Sequence, residues 1–371
     1  MLFIPSLSGK LAAQNIELSG YKVALPEGNV LGVAFDEPKH MFFVQLLVLS
    51  TGQDGRTILS SRQVSSWDYK THMMSGKRML DTNPRHLDSY LCGRVEVWVK
   101  ADKVLLCSPE GHLEVLDGRT LNTVGKIAYK NEQYIYDFVI DEERGRVFVL
   151  ALVGTNRSPY LTSYSLSDGT QQDETKLPPT DGTIMKLILV PKTGKVAVVL
   201  DHYIHGPQKS DVYVCQSNGA LDCTSVALIA RVLQVDVLGD NLLGATDRPA
   251  DRKNECLVSV DLNTHIVSSH EYCSPATGVH YVVGVADDNY VVGFTGTAKR
   301  VWWKEENLSE ESSFSIWAAE NPKVISVAKE PANFGSNQFG ASVFASRTEP
   351  LFVAHVGNST QLYVYSIITS N

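Results

Sequence analysis

Apolar residues alternate with polar ones, or run for five to eight positions, along almost the whole chain, and turn-forming residues interrupt them every eight to twelve positions. The runs are rich in Val, Ile, Leu, Tyr and Phe, which suit a pleated, half-buried surface. An all-β chain is the expectation.

The segment that recurs best is a strand ending in a small acidic or amide-containing turn and followed at once by another strand. Residues 113–127, LEVLDGRTLNTVGKI, are the clearest copy, and segments beginning at 63, 161, 211, 256, 313 and 361 fall in the same phase. A second series of hairpin turns precedes the copies, at 36–39, 100–103, 142–145, 191–194, 238–241, 286–289 and 347–350. Two hairpins per unit make four strands per unit. A four-stranded unit of roughly 40 to 50 residues, repeated in series, fits a propeller blade better than a sandwich or a barrel.

The predicted architecture is therefore an all-β, seven-bladed β-propeller of four-stranded antiparallel blades. The last copy reaches only its third strand at Ser366-Ile367-Ile368, and Asn15 to Leu25 is a strand with no place in the first unit. Pairing that N-terminal strand in the last blade closes the ring and leaves no unpaired end blade. Two places strain the count: blade 1 needs a long third strand around Ile58 to Trp67, and blade 6 must hold an insertion from Gly296 to Glu311.

Trp67-Asp68, Leu116-Asp117 and Val260-Asp261 at strand ends, and the segment ERGRVFVLAL at 143–152, resemble the WD-repeat and YVTN-type propeller superfamily. The resemblance implies architecture alone and assigns no activity.

Length by itself, 371 residues, would suggest two or three domains, but a repeat makes 1–371 one domain. Residues 1–14 are set apart as a remnant of a signal or an unstructured N-terminus, since they lack a basic n-region and a small-x-small cleavage site. With 43% hydrophobic and 20% charged residues, the chain can bury a large core. A formal charge of -8 without any Lys/Arg cluster longer than a pair disfavours nucleic acid. The longest apolar stretch, Met41 to Leu49, is far too short for a membrane helix, so no span is expected.

Of the six cysteines, Cys215 and Cys223 flank the turn around Asn218-Gly219 symmetrically, and Cys256 and Cys273 flank the turn at Asn263-Thr264 almost as evenly. Opposed positions make disulfides geometrically feasible. Cys92 and Cys107 belong to one blade but miss direct opposition by about one strand step, a weaker pairing. Disulfides point to an extracytoplasmic compartment, periplasmic or secreted; reduced core cysteines of a cytoplasmic protein are the competing reading. Triplets for N-glycosylation at Asn156, Asn307 and Asn358 add little to the choice.

In a propeller, the loops from second to third strand and those between blades open on one rim. Here they include the stretches 81–93, 202–209, 247–254, 296–311 and 329–340, whereas the turns of the other rim are short. Long loops on a rigid scaffold are where binding residues concentrate. The candidate binding face carries Arg85, His86, His202, Tyr203, His205, Asp247, Arg248, Asp251, Arg252, Trp302, Trp303, Asn333 and Phe334, a mixture of aromatics and opposed charges typical of interaction patches. His202 and His205 with Asp201 lack the further ligands a metal site needs, so no metal is expected.

No nucleophile elbow, P-loop, dinucleotide fingerprint or His-Glu-x-x-His helix is present, and no cofactor is called for. The first functional reading is a non-catalytic scaffold that binds a protein, peptide or glycan through the long-loop face. The alternative is a propeller enzyme, lactonase-like or quinoprotein dehydrogenase-like, whose residues would converge from several blades on the channel mouth without a local motif.

Overall fold

The computed structural model describes residues 15–26, 28–51, 57–80, 92–127, 133–154, 158–179, 185–190, 192–202, 209–217, 220–230, 232–246, 257–270, 279–285, 290–295, 313–318, 321–329, 341–356 and 360–370. These form a β-propeller of four-stranded antiparallel sheets, seven in number. They are called blades 1 to 7, over 28–80, 95–127, 133–176, 185–230, 232–270, 279–329 and 341–370, and the last takes in 15–24 as its outermost strand. The first strand of each blade contacts the first strand of the next, and that of blade 7, Ala341–Ala345, contacts that of blade 1, Gly28–Asp36. The ring is closed.

Closure runs through the strand Asn15–Ala24, which pairs antiparallel with Gln361–Ser370 from Asn15 opposite Ser370 to Ala24 opposite Gln361. Leu25 N–H continues the ladder to the Thr360 carbonyl at 2.8 Å. Midway, Gly20 lies opposite Tyr365, and a Cβ at Gly20 would meet the Tyr365 ring at 2.6 Å. The missing side chain is what lets that ring lie flat across the strand pair.

Why the second strands read as continuous apolar runs follows from the stacking of blades. A strand with a sheet on each side buries both faces, so alternation disappears. In Met41–Thr51, Phe42, Val44 and Leu46 pack with Val353, Leu362 and Val364 of blade 7, while Phe43 packs with Val104, Leu106 and Leu116 of blade 2. In Arg146–Val153 the odd positions Val147 and Val149 face blade 2 and the even positions Phe148 and Leu150 face blade 4. Outer strands have no second neighbour and turn polar, as in Gln171–Lys176.

Third strands of several blades close with an Asp whose side chain organises the next turn. Oδ1 of Asp68, Asp117 and Asp261 accepts the backbone N–H groups two and three residues on, at 2.8–3.2 Å. The turn then passes through a left-handed residue four after the Asp: His72, Leu121 and His265, at φ 62°, 59° and 62°. Leu121 is a bulky residue in that region and its side chain is fully buried between blades 1 and 2, so packing holds the backbone where a glycine would ordinarily be used. In blade 3 Ser165 ends the strand and Gly169, four residues on, takes φ 71°, while Asp168 inside the turn accepts Thr170 N–H at 3.0 Å.

These turn hydrogen bonds hold the Asp68, Asp117, Asp168 and Asp261 carboxyls below their usual range. A depressed native pKa contributes stability that is complete above the unfolded-chain value, about 3.9, and is lost as pH falls through the native values. Thermal melts between pH 7 and pH 2 should therefore show a steeper acid loss for the natural chain than for Asp68→Asn/Asp117→Asn/Asp261→Asn. Superimposable acid limbs would rule this contribution out.

Among the described residues two disulfides are present. Cys215–Cys223 joins directly opposed residues of a blade 4 hairpin. Cys92–Cys107 is also formed, with Cα atoms 5.9 Å apart, although the expected register made it the weaker pair. The reason is that Cys92 precedes the strand Val95–Trp98 and is free of its ladder. Cys256 and Cys273 lie outside the described residues. Two disulfides suggest an oxidising environment. Among the described residues no helix is long and apolar enough to cross a membrane.

Candidate functional site

Strand direction assigns every connection to a rim. On one rim, first strands turn into second and third into fourth, and none of these turns exceeds five residues. On the other, the chain passes from Leu80 to Val95, Thr246 to Leu257, Thr295 to Ser313 and Lys329 to Ala341, so the longer connections share one face. His202 ends the strand Lys195–His202, its backbone opposite Lys209, at the edge of that face. Arg85, His86, Tyr203, His205, Asp247, Arg248, Asp251, Arg252, Trp302, Trp303, Asn333 and Phe334 lie outside the described residues.

The short-turn rim is tied together from blade to blade. Lys39 of blade 1 bridges Asp36, at 3.0 Å, and Asp102 of blade 2. Burial opposes its charge, yet these carboxylates raise its pKa. Glu142 of blade 3 accepts Val99 N–H of blade 2. Its carboxyl is pushed up by burial. Glu37 of blade 1 accepts the Ser346 hydroxyl at 2.8 Å and Arg347 N–H at 3.2 Å from blade 7. Partly exposed pairs of this kind contribute about 1 kcal/mol or less each, but they fix the turns in one arrangement.

Around the axis, the charged groups that converge are ones no sequence pattern marked. Arg94 approaches from the connection between blades 1 and 2, where the backbone passes so close to Leu31 and Gly32 that a Cβ at Gly93 would meet the Leu31 carbonyl oxygen at 2.6 Å. Its Nε donates to Glu96 at 2.6 Å and its Nη1 to Asp137 at 3.2 Å and to the Leu187 carbonyl at 2.7 Å. Asp137, 3% exposed, also accepts the Leu187 N–H at 2.9 Å and the Phe138 N–H at 3.0 Å. One guanidinium and one carboxylate thus satisfy the open edge of Met185–Val190, the first strand of blade 4, from blades 2 and 3. Burial disfavours the charge on Arg94, but Asp137 and Glu96 outweigh it and hold the pKa above its ordinary value.

A bulge makes the arrangement fit. The register of Gln133–Asp141 against its partner slips between Ile135 and Asp137, which turns the Asp137 carboxylate toward the neighbouring blade. The same slip occurs between Val30 and Gly32, Val232 and Gln234, and Val279 and Tyr281, all in first strands. A second arginine repeats the reach: Arg347 of blade 7 donates to Asp236 of blade 5 and, at 3.1 Å, to the Val237 carbonyl.

Among the described residues no group of three or more His, Cys, Asp or Glu side chains is placed to hold a metal ion. No protein-family model matches the chain. No curated protein matches it either. The resemblance to WD- and YVTN-type repeats rests on Trp67-Asp68, Leu116-Asp117, Val260-Asp261 and residues 143–152 alone.

Proposed function

We propose that the chain is a non-catalytic, extracytoplasmic scaffold that binds a protein, peptide or glycan partner through its long-loop face. The observation that carries this reading is the contrast between the rims. One is built from turns of at most five residues that hydrogen-bond across blades, and the other bears all the longer connections. A rigid frame with one variable face is suited to recognition. The convergent charges near the axis support a structural role over a reactive one, because Arg94, Glu96 and Asp137 bond one another and the backbone.

Alanine replacement of both Trp302 and Trp303 is the direct test, since aromatic anchors dominate interface energetics. Partners recovered by pull-down with the natural chain should be lost, with a fall in affinity on the order of tenfold or more for each anchor removed. Unchanged recovery would remove the face's best residues. Turnover of any member of a lactone and amine substrate panel would overturn the non-catalytic reading.

A further inference from the structure

Beyond that face, we propose a second docking site: the lateral cleft between blades 4 and 5 takes an extended peptide segment of a partner, one that carries an aliphatic side chain beside a carboxylate. The cleft lies where the two outer strands begin, between the start of Leu221–Ala230 of blade 4 and the turn that precedes Val267–His270 of blade 5. Its walls enclose a hollow of about 390 Å³.

Its chemistry selects the occupant. Val214, Val226 and Leu262 contribute aliphatic surface, and Lys195, Asp222 and His265 add polar and ionisable groups to the lining. Ile266 and Val267, which follow the same turn, are 62% and 44% exposed and extend the apolar surface beyond the hollow. Lys195 Nζ donates to the neutral Asn263 side-chain oxygen at 3.1 Å and has no carboxylate in ion-pair range among the described residues. An incoming carboxylate supplies the missing counter-charge. Asp222 on the blade 4 wall opposes a run of acids, so a single carboxylate next to an aliphatic group is what the lining complements. Among the described residues no aromatic ring other than the His265 imidazole lines the hollow, which disfavours a sugar stacked on a ring.

Backbone supplies the other half of the recognition. Among the described residues Val267–His270 pairs on one side only, with Leu257–Asp261, and its outer edge begins beside the hollow. An extended peptide can add to such an edge, with the ladder giving affinity and the hollow giving side-chain preference.

The test is selection of a displayed, randomised heptapeptide library on the intact protein. The sequences recovered are then synthesised and titrated against the natural chain and two surface variants, Lys195→Glu and Thr224→Trp, the second chosen to fill the hollow. Melting curves check that both variants fold. The expected result is enrichment of peptides with Val, Ile or Leu next to Asp or Glu, and a loss of affinity of tenfold or more in each variant. Trp302→Ala/Trp303→Ala should bind these peptides normally, which separates this site from the long-loop face. No enriched sequence, or enriched peptides that bind both variants as they bind the natural chain, would overturn the proposal.

Discussion

A chain that begins after residue 25 should fail to form a stable propeller. The strand Asn15–Ala24 supplies the last ladder of the ring and covers the outer edge of Gln361–Ser370. It also brings Val23 into the core shared by blades 7 and 1, beside Phe42, Leu362 and Val364, and the adjoining Leu25 goes with it. Losing two buried aliphatic side chains costs on the order of 3 to 6 kcal/mol. The ten paired positions and the opened ring add to that, against a total stability of about 5 to 15 kcal/mol for a folded protein. Size-exclusion chromatography and near-ultraviolet circular dichroism should show aggregated or unfolded material, and a synthetic peptide of residues 15–26 added during refolding should recover part of the native signal. A truncated monomer that melts like the natural chain would show that closure carries little of the stability.

The second large effect is expected at Asp137. Replacement by alanine leaves the Arg94 guanidinium with Glu96 and the Leu187 carbonyl but takes away its second carboxylate, and it leaves Leu187 N–H without its acceptor at the inner edge of blade 4. Leaving a buried N–H unsatisfied and removing a charged partner costs about 3 kcal/mol. Asp137→Asn keeps an acceptor for Leu187 but gives up the charge, so roughly 1 to 3 kcal/mol is expected. Urea unfolding followed by tryptophan fluorescence measures both. An alanine variant whose midpoint matches the natural chain would mean that Arg94 and Leu187 find other partners at no cost.

What was legible in the sequence divides along the range of the interactions involved. The turns announced themselves because each is settled within five residues: Asp68, Asp117 and Asp261 need only the N–H groups immediately after them, and Asp-x-x-Thr is visible without knowing the fold. The closing strand was legible too, since Asn15 to Leu25 had an apolar pattern and nowhere else to pair. The bulges were not, because a slip such as that between Ile135 and Asp137 depends on how two strands are aligned. Nor was the Arg94–Asp137–Leu187 set, whose members are separated by 43 and 50 residues and meet only when three blades are stacked.

The cysteines make the same point from the other side. Register found Cys215–Cys223, a pair inside one hairpin, and undervalued Cys92–Cys107, where one partner lies beyond the ladder that register describes. For the candidate site, what could be read was the length and placement of the connections. The lateral cleft was missed because its walls come from two blades, with Lys195 and Asp222 on one and Leu262 and His265 on the other, and no residue pattern joins them.

The direction of the closing ladder bears on how this molecule would carry a mechanical load. Asn15 sits opposite Ser370, so the first residue of one strand and the last of the other lie at the same end of one antiparallel pair. Tension applied between those two residues acts across the rungs and meets them one at a time, as in opening a zip, while the rungs of blades 1 to 6 carry no load until the clasp has parted. A propeller joined this way resists thermal opening through its whole circumference, yet it yields to pulling at a single seam.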